Sequence, residues 1–154
     1  MENEKICFVQ DAEQEMFFNW IKPKRSTANS AGYDFFAPYT FSIPAHGSIT
    51  VNTHTKVKMP KNIVFMVYPR SGLGFKHGVH LANTVGVIDS DYYSDVPGKG
   101  VINVKLCNPT DEDILIEEGK AYCQGIFTVF FTTDDDDATG DRNGEGFGST
   151  DKNK

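Results

Sequence analysis

GSITVNTHTKVKMP, from Gly47 to Pro60, alternates without a break: Ile49, Val51, Thr53, Thr55, Val57 and Met59 interleave with Ser48, Thr50, Asn52, His54, Lys56 and Lys58. Period-two alternation of this kind predicts one half-buried β-strand. On either side, Ile63 to Tyr68 and Ile126 to Phe131 are apolar almost throughout, β-branched or aromatic, and too short for core helices. They predict strands buried on both faces. Shorter candidates are Lys5 to Gln10, Tyr33 to Ala37, Val85 to Ile88, Gly100 to Leu106 and Asp113 to Ile116, separated by Gly, Pro, Asn and Asp clusters. Helical patterning is confined to Asp11 to Trp20 and one turn at Arg70 to Lys76. The expectation is an all-β sandwich or barrel.

A chain of 154 residues suits one compact domain. The expected division is a β-barrel over residues 1–132 and an arm over residues 133–154. The first carries 14 acidic and 12 basic side chains, the second 7 and 3, so most of the net charge of −6 lies in the arm. There TTDDDDATGDRNGEGFGSTDKNK loses the apolar pattern, and four adjacent aspartates repel one another, which predicts a flexible segment. Neither part has the basic stripe of a nucleic-acid binder, and no apolar run approaches membrane-spanning length, so neither nucleic acid nor membrane is an expected partner. The opening MENEKICFVQDAEQE lacks a basic start followed by an apolar core, which predicts a cytosolic or nuclear home, with the cytoplasm expected. Cys7, Cys107 and Cys123, odd in number and widely spaced, read as buried free thiols.

Phosphate-loop, HExxH and GxSxG patterns are absent, and His46, His54, His77 and His80 have no metal-ligand spacing. Four features remain. PRSGLGFKHG, at Pro69 to Gly78, offers an arginine, a hydroxyl and turn N–H groups suited to phosphate oxygens. GVIDSDYY, at Gly86 to Tyr93, sets Asp89 and Asp91 after an apolar strand, either as a solvated turn or as carboxylates that activate water or bind metal. In SAGYDFFAP, Asp34 sits in a strand among aromatics, where burial demands a salt bridge or a hydrated metal. The arm offers Arg142 and then Phe147 among glycines and hydroxyls, a combination able to approach an anion and stack on a planar ring.

In order along the chain, these elements resemble the five motifs of the trimeric dUTP pyrophosphatases (dUTPases): AGYD at Ala31 to Asp34, PRSGLGFKHGV at Pro69 to Val79, NTVGVIDSDY at Asn83 to Tyr92, GKAYCQ at Gly119 to Gln124 and RNGEGFGST at Arg142 to Thr150. The resemblance implies a dUTPase-like distorted jelly-roll β-barrel with a flexible C-terminal arm, assembled as a homotrimer with shared active sites. It implies Mg²⁺-dependent hydrolysis of dUTP to dUMP and pyrophosphate by attack of water on the α-phosphorus. Asp89 would be the general base, and Tyr92 would pack beneath the deoxyribose. Asn83 and the backbone of Gly86, Val87 and Ile88 would read the uracil, while Arg70, Ser71, Gly72 and Gln124 would hold the triphosphate. Asp34 would bind Mg²⁺ through coordinated water. From the arm, Arg142 would clamp the γ-phosphate, Phe147 would cover the uracil, and Gly148, Ser149 and Thr150 would add phosphate contacts.

Three places depart from the family pattern. YSDVPGKG, at Tyr93 to Gly100, makes the connection after the third motif longer than usual. Ala121 stands where the fourth motif usually has arginine, and Asp151 where glycine is frequent. The related dCTP deaminases need a glutamate where this chain has Lys105, which cannot replace it.

Overall fold

The apolar and alternating runs pair into antiparallel ladders. The computed structural model describes residues 5–12, 19–142, 144–146, 148, 150 and 151. Its strands are β1 (Cys7–Gln10), β2 (Lys24–Arg25), β3 (Tyr33–Phe36), β4 (Phe41–Ile43), β5 (Ser48–Asn52), β6 (Thr55–Lys58), β7 (Ile63–Pro69), β8 (His80–Leu81), β9 (Gly86–Ile88), β10 (Asn103–Cys107), β11 (Ile114–Ile116) and β12 (Ala121–Val129). One short helix, α1 (Ser71–His77), follows β7. The largest sheet runs β2-β3-β12-β7-β9; β5-β10-β8, β1-β6 and β11-β4 complete an all-β, jelly-roll-like architecture.

Aromatic side chains fill the interior. Phe8 packs its ring 5.3 to 6.0 Å from those of Tyr33, Phe35, Phe65 and Phe127, and the Phe65 and Phe127 rings lie 4.6 Å apart. These are the tilted and edge-on geometries that aromatic quadrupoles favour. Gly125 of β12 lies directly against the Phe65 ring, where a Cβ would collide with it. At the other end, the buried Asn108 amide donates to the carbonyls of Ile43 (2.9 Å) and Glu112 (2.8 Å), and its oxygen accepts from the Thr110 backbone N–H (2.9 Å). Those bonds fix the connection from β10 to β11.

The structure corrects several expectations. Gly47 to Pro60 forms two strands, because His54 adopts φ 52° and the chain turns there. Local bonds outcompete the ladder: His54 N–H donates to Asn52 Oδ1 (2.8 Å), and Thr53 Oγ1 donates to the Ile102 carbonyl (2.8 Å). Beyond the turn Lys56 is buried, although alternation put it in solvent. Ile126 to Phe131 is not buried on both faces; Val129 and Phe130 are exposed, and Phe131 is 93% exposed. Cys123 is buried, but Cys7 and Cys107 are only half-buried. The short strands β2, β4 and β8 and the first part of β12 carry too few residues to show a period. The expected helix at Asp11 to Trp20 falls largely outside the described residues. Among the described residues, no helix is long and apolar enough to cross a membrane.

Candidate active site

Strand β9 hydrogen-bonds to β7, with Gly86 opposite Val67 and Ile88 opposite Phe65, and so forms one wall of a cavity of about 410 Å³. Val67, Leu81, Ile102 and Val104 give that cavity apolar sides. Asn83, Gly86, Val87, Ile88, Asp89 and Tyr92, all expected from the third motif, line it together. Beside Asn83, Thr84 is held at φ 68° by hydrogen bonds on both sides, from its own N–H to the Leu81 carbonyl and from Val85 N–H to the Asn83 carbonyl. A β-branched residue there carries strain of order 1–3 kcal/mol, and such strain concentrates at functional sites.

Asp89 leaves β9 in extended conformation, and a single 3₁₀ turn, Ser90–Tyr92, follows. This short turn carries Tyr92 back over the cavity, where its hydroxyl donates to the Val101 carbonyl at 2.6 Å. Burial raises the pKa of that hydroxyl, which keeps it a neutral donor and the ring fixed. Arm residue Gly146 passes against the ring so closely that a Cβ would lie 2.8 Å from Tyr92 Cε2.

Arg142 closes the mouth of the cavity. Its Nη2 lies 2.8 Å from Asp89 Oδ2 and its Nε 3.1 Å from Asp91 Oδ1. Asp91, left by the sequence between a solvated turn and a chemical carboxylate, is therefore where the arm attaches. Asn103 of β10 also lines the cavity and was missed. Its signal was a lone amide in the otherwise apolar start of Val101 to Val104.

A second group of expected residues gathers elsewhere in the chain. Asp34, 7% exposed, has the salt-bridge partner its burial required: Arg70 Nη1 lies 3.4 Å from its Oδ2. Gln124 lies opposite Asp34 in the β12–β3 ladder, and its Nε2 donates to the Pro69 carbonyl at 3.2 Å. Ser71 and Gly72 open α1. None of these five residues lines the cavity. The register explains why: Asp89 follows Ile88 and so lies level with Val64, whereas Arg70, the residue after β7, stands six residues further on, about 20 Å at strand spacing. Gly148 and Thr150 are exposed, while Phe147 and Ser149 lie outside the described residues.

An apolar cavity with a few convergent polar groups, a pinned aromatic and a carboxylate at its mouth is the construction of a small-molecule enzyme site on a jelly-roll barrel. The chain belongs to the dUTPase family, whose model matches residues 19–151. It is 41% identical over 130 residues to the deoxyuridine 5′-triphosphate nucleotidohydrolase of Lactococcus lactis, covering 83% of this chain and 86% of that protein. The corresponding protein of Paramecium bursaria Chlorella virus 1 is 35% identical over 135 residues, covering 83% and 88%. Among solved structures, the dUTPase of Streptococcus mutans superposes with a TM-score of 0.73 at 34% identity, covering 83% of this chain and 98% of that one. The dUTPase from phage phi11 of S. aureus, at 18% identity and TM-score 0.67, shares the fold.

Proposed function

We propose that the protein is a cytoplasmic, homotrimeric dUTP diphosphatase that uses Mg²⁺ to hydrolyse dUTP to dUMP and pyrophosphate, keeping uracil out of DNA and supplying dUMP for thymidylate synthesis. The observation that carries this reading is Asp89, a carboxylate at the mouth of an apolar cavity, beside a tyrosine ring fixed by its own hydrogen bond. Uracil enters between the apolar walls, and Asn83 with the β9 backbone reads its polar edge. Hydrogen-bond readout of this kind rejects a base with the wrong donor pattern by roughly 10⁴-fold, whereas excluding a methyl group requires a close wall. The fixed Tyr92 ring packs against the sugar and leaves no space for a 2′-hydroxyl.

Asp89 then accepts a hydrogen bond from a water and directs that water's lone pair at the α-phosphorus. As the new O–P bond forms, the proton passes to the carboxylate, the bond to the bridging oxygen breaks, and pyrophosphate departs. Position supplies most of the acceleration. Arg142 rests on Asp89 in the structure, and the γ-phosphate would draw its guanidinium away, releasing the carboxylate to the water. Phe147, Gly148, Ser149 and Thr150 would complete the lid over base and phosphates once the nucleotide is bound.

Mg²⁺ fits the residues present. It keeps several waters and takes phosphate oxygens from a substrate, so one protein carboxylate, Asp34, suffices to hold it through water. When bound, the ion neutralises phosphate charge; Arg70, Ser71, Gly72 and Gln124 hold the remaining oxygens.

The separation of the two groups supports assembly. On this reading Arg70 and Asp89 meet one substrate, and their separation of about 20 Å along the line of β7 supports a site to which a second copy contributes one half. Phe75 of α1 and Phe131 after β12, 95% and 93% exposed, are apolar surfaces that neighbouring copies would cover.

The test is incubation with Mg²⁺ and dUTP, dCTP, dTTP or UTP separately, with products separated by ion-exchange chromatography. Conversion of dUTP alone to dUMP is expected, with dCTP disfavoured by about 10⁴-fold. Deamination of dCTP, or UTP cleaved as fast as dUTP, would sink the reading.

A further inference from the structure

The hydrolytic scheme leaves Lys56 unused, although it is one of the few fully buried charges. Its side chain is 4% exposed and lies 3.3 Å from Asp11, itself 2% exposed. The ammonium also donates to the carbonyls of Ser94 (2.9 Å) and Val96 (2.8 Å), so all three N–H groups have acceptors. Asp11 Oδ1 in turn accepts from Gly98 N–H at 3.0 Å. A pair this buried adds little net stability but specifies one arrangement of what it touches. What it touches is the Tyr93–Gly100 connection that departs from the family pattern.

That connection meets the arm. Gly100 N–H donates to the Gly144 carbonyl at 3.2 Å, and Gly144 N–H donates to the Asp91 carbonyl at 3.3 Å. Gly144 has φ 76°, and a Cβ there would lie 2.6 Å from Ser94 Cβ, so only glycine fits between. Ser94 is also the residue whose carbonyl Lys56 holds. Within the loop, Tyr93 OH donates to Asp95 at 2.7 Å, a bond that pushes the phenol pKa up to about 12, and the Lys58 ammonium lies 5.7 Å from the centre of the Tyr93 ring. The loop is thus braced from the barrel side by Lys56 and presents its other side to the arm.

We propose that the Tyr93–Gly100 loop is the seat of the C-terminal arm and that Lys56, through its buried pairing with Asp11, is a positioning residue that holds this seat; its effect on dUTP turnover rests on the hydrolase reading above. The seat grips the arm by its backbone at Gly144, so the Arg142 side chain can exchange Asp89 for phosphate without the arm leaving the cavity.

Two variants of the full-length protein test this, read by trypsin cleavage after Arg142, followed by mass spectrometry, and by dUTP turnover. Gly144→Val breaks the contact from the arm, straining the left-handed backbone at this position and driving a Cβ against Ser94 of the loop. Lys56→Met combined with Asp11→Asn removes the brace without stranding a buried charge. Each is expected to keep a cooperative melt and to expose Arg142 to cleavage about tenfold faster than wild type. Turnover should fall by about tenfold in kcat, with KM changed by less than about threefold. In the double variant cleavage after Lys99 should also quicken, and adding Gly144→Val to it should add nothing, since both break one linkage. If either folded variant is cut after Arg142 no faster than wild type, or if the losses add, the proposal is overturned. Faster cleavage in both, in a protein that leaves dUTP intact, would support the seat while sinking the substrate assignment.

Discussion

Asp89→Asn is expected to bind dUTP with a Kd within about threefold of wild type and to release pyrophosphate about 10³-fold more slowly, the scale of a lost general base. The substitution keeps size and hydrogen-bonding capacity but removes the anion that, in the proposed mechanism, orients the water and takes its proton. It leaves the cavity intact, because its walls come from β9, β10 and the Tyr92–Val101 hydrogen bond. The arm also keeps an anchor, since Arg142 Nε still faces Asp91 at 3.1 Å. Equilibrium binding and phosphate-coupled turnover, measured on one preparation, check the prediction. Near-normal turnover would remove Asp89 from the mechanism, and a Kd weakened as much as the rate would make it a binding residue instead.

Truncation after Thr133 is expected to leave the barrel folded and to lower kcat/KM by about 10²-fold or more, since closure excludes water and completes the charge stabilisation. The folded part follows from the ladders: β12, the last strand, ends at Val129, and its nine residues lie between β3 and β7 in the largest sheet. The catalytic part follows from Arg142, which caps Asp89 at 2.8 Å, and from Gly146, which lies on the Tyr92 ring. Removing both opens the cavity and strips the positive charge that faces Asp89 and Asp91. Circular dichroism and steady-state turnover separate the two effects. Full activity without the arm would refute its role as a lid.

These roles differ in how plainly the sequence announced them. Ile63 to Tyr68 read plainly as a strand, although only Val64, Phe65 and Val67 of it are buried, and NTVGVIDSDY set an apolar strand directly against a polar turn, so β7, β9 and the part of the cavity lining that β9 and its turn supply were legible. The turn at Thr53 and His54 was not, because Thr is itself a good strand residue and the bonds that break the ladder come partly from Ile102, far along the chain. Burial of Lys56 was invisible for the same reason: its partner Asp11 lies 45 positions away, and pattern alone puts lysine in water. In the site, Asp34 signalled its need for a partner through its aromatic neighbours, whereas Asp91 gave no hint that it receives the arm. The arm's charge and glycine content predicted freedom, but not the backbone bridge between Gly100 and Gly144. Local pattern reports elements and turns; contacts between distant segments appear only once the chain is folded.

The central claim is that water held by Asp89 attacks the α-phosphorus. It is tested most directly by running the reaction in ¹⁸O-water for a single turnover and weighing both products. The account predicts one ¹⁸O in dUMP and none in pyrophosphate. Label in pyrophosphate would place the attack on the β-phosphorus and contradict it.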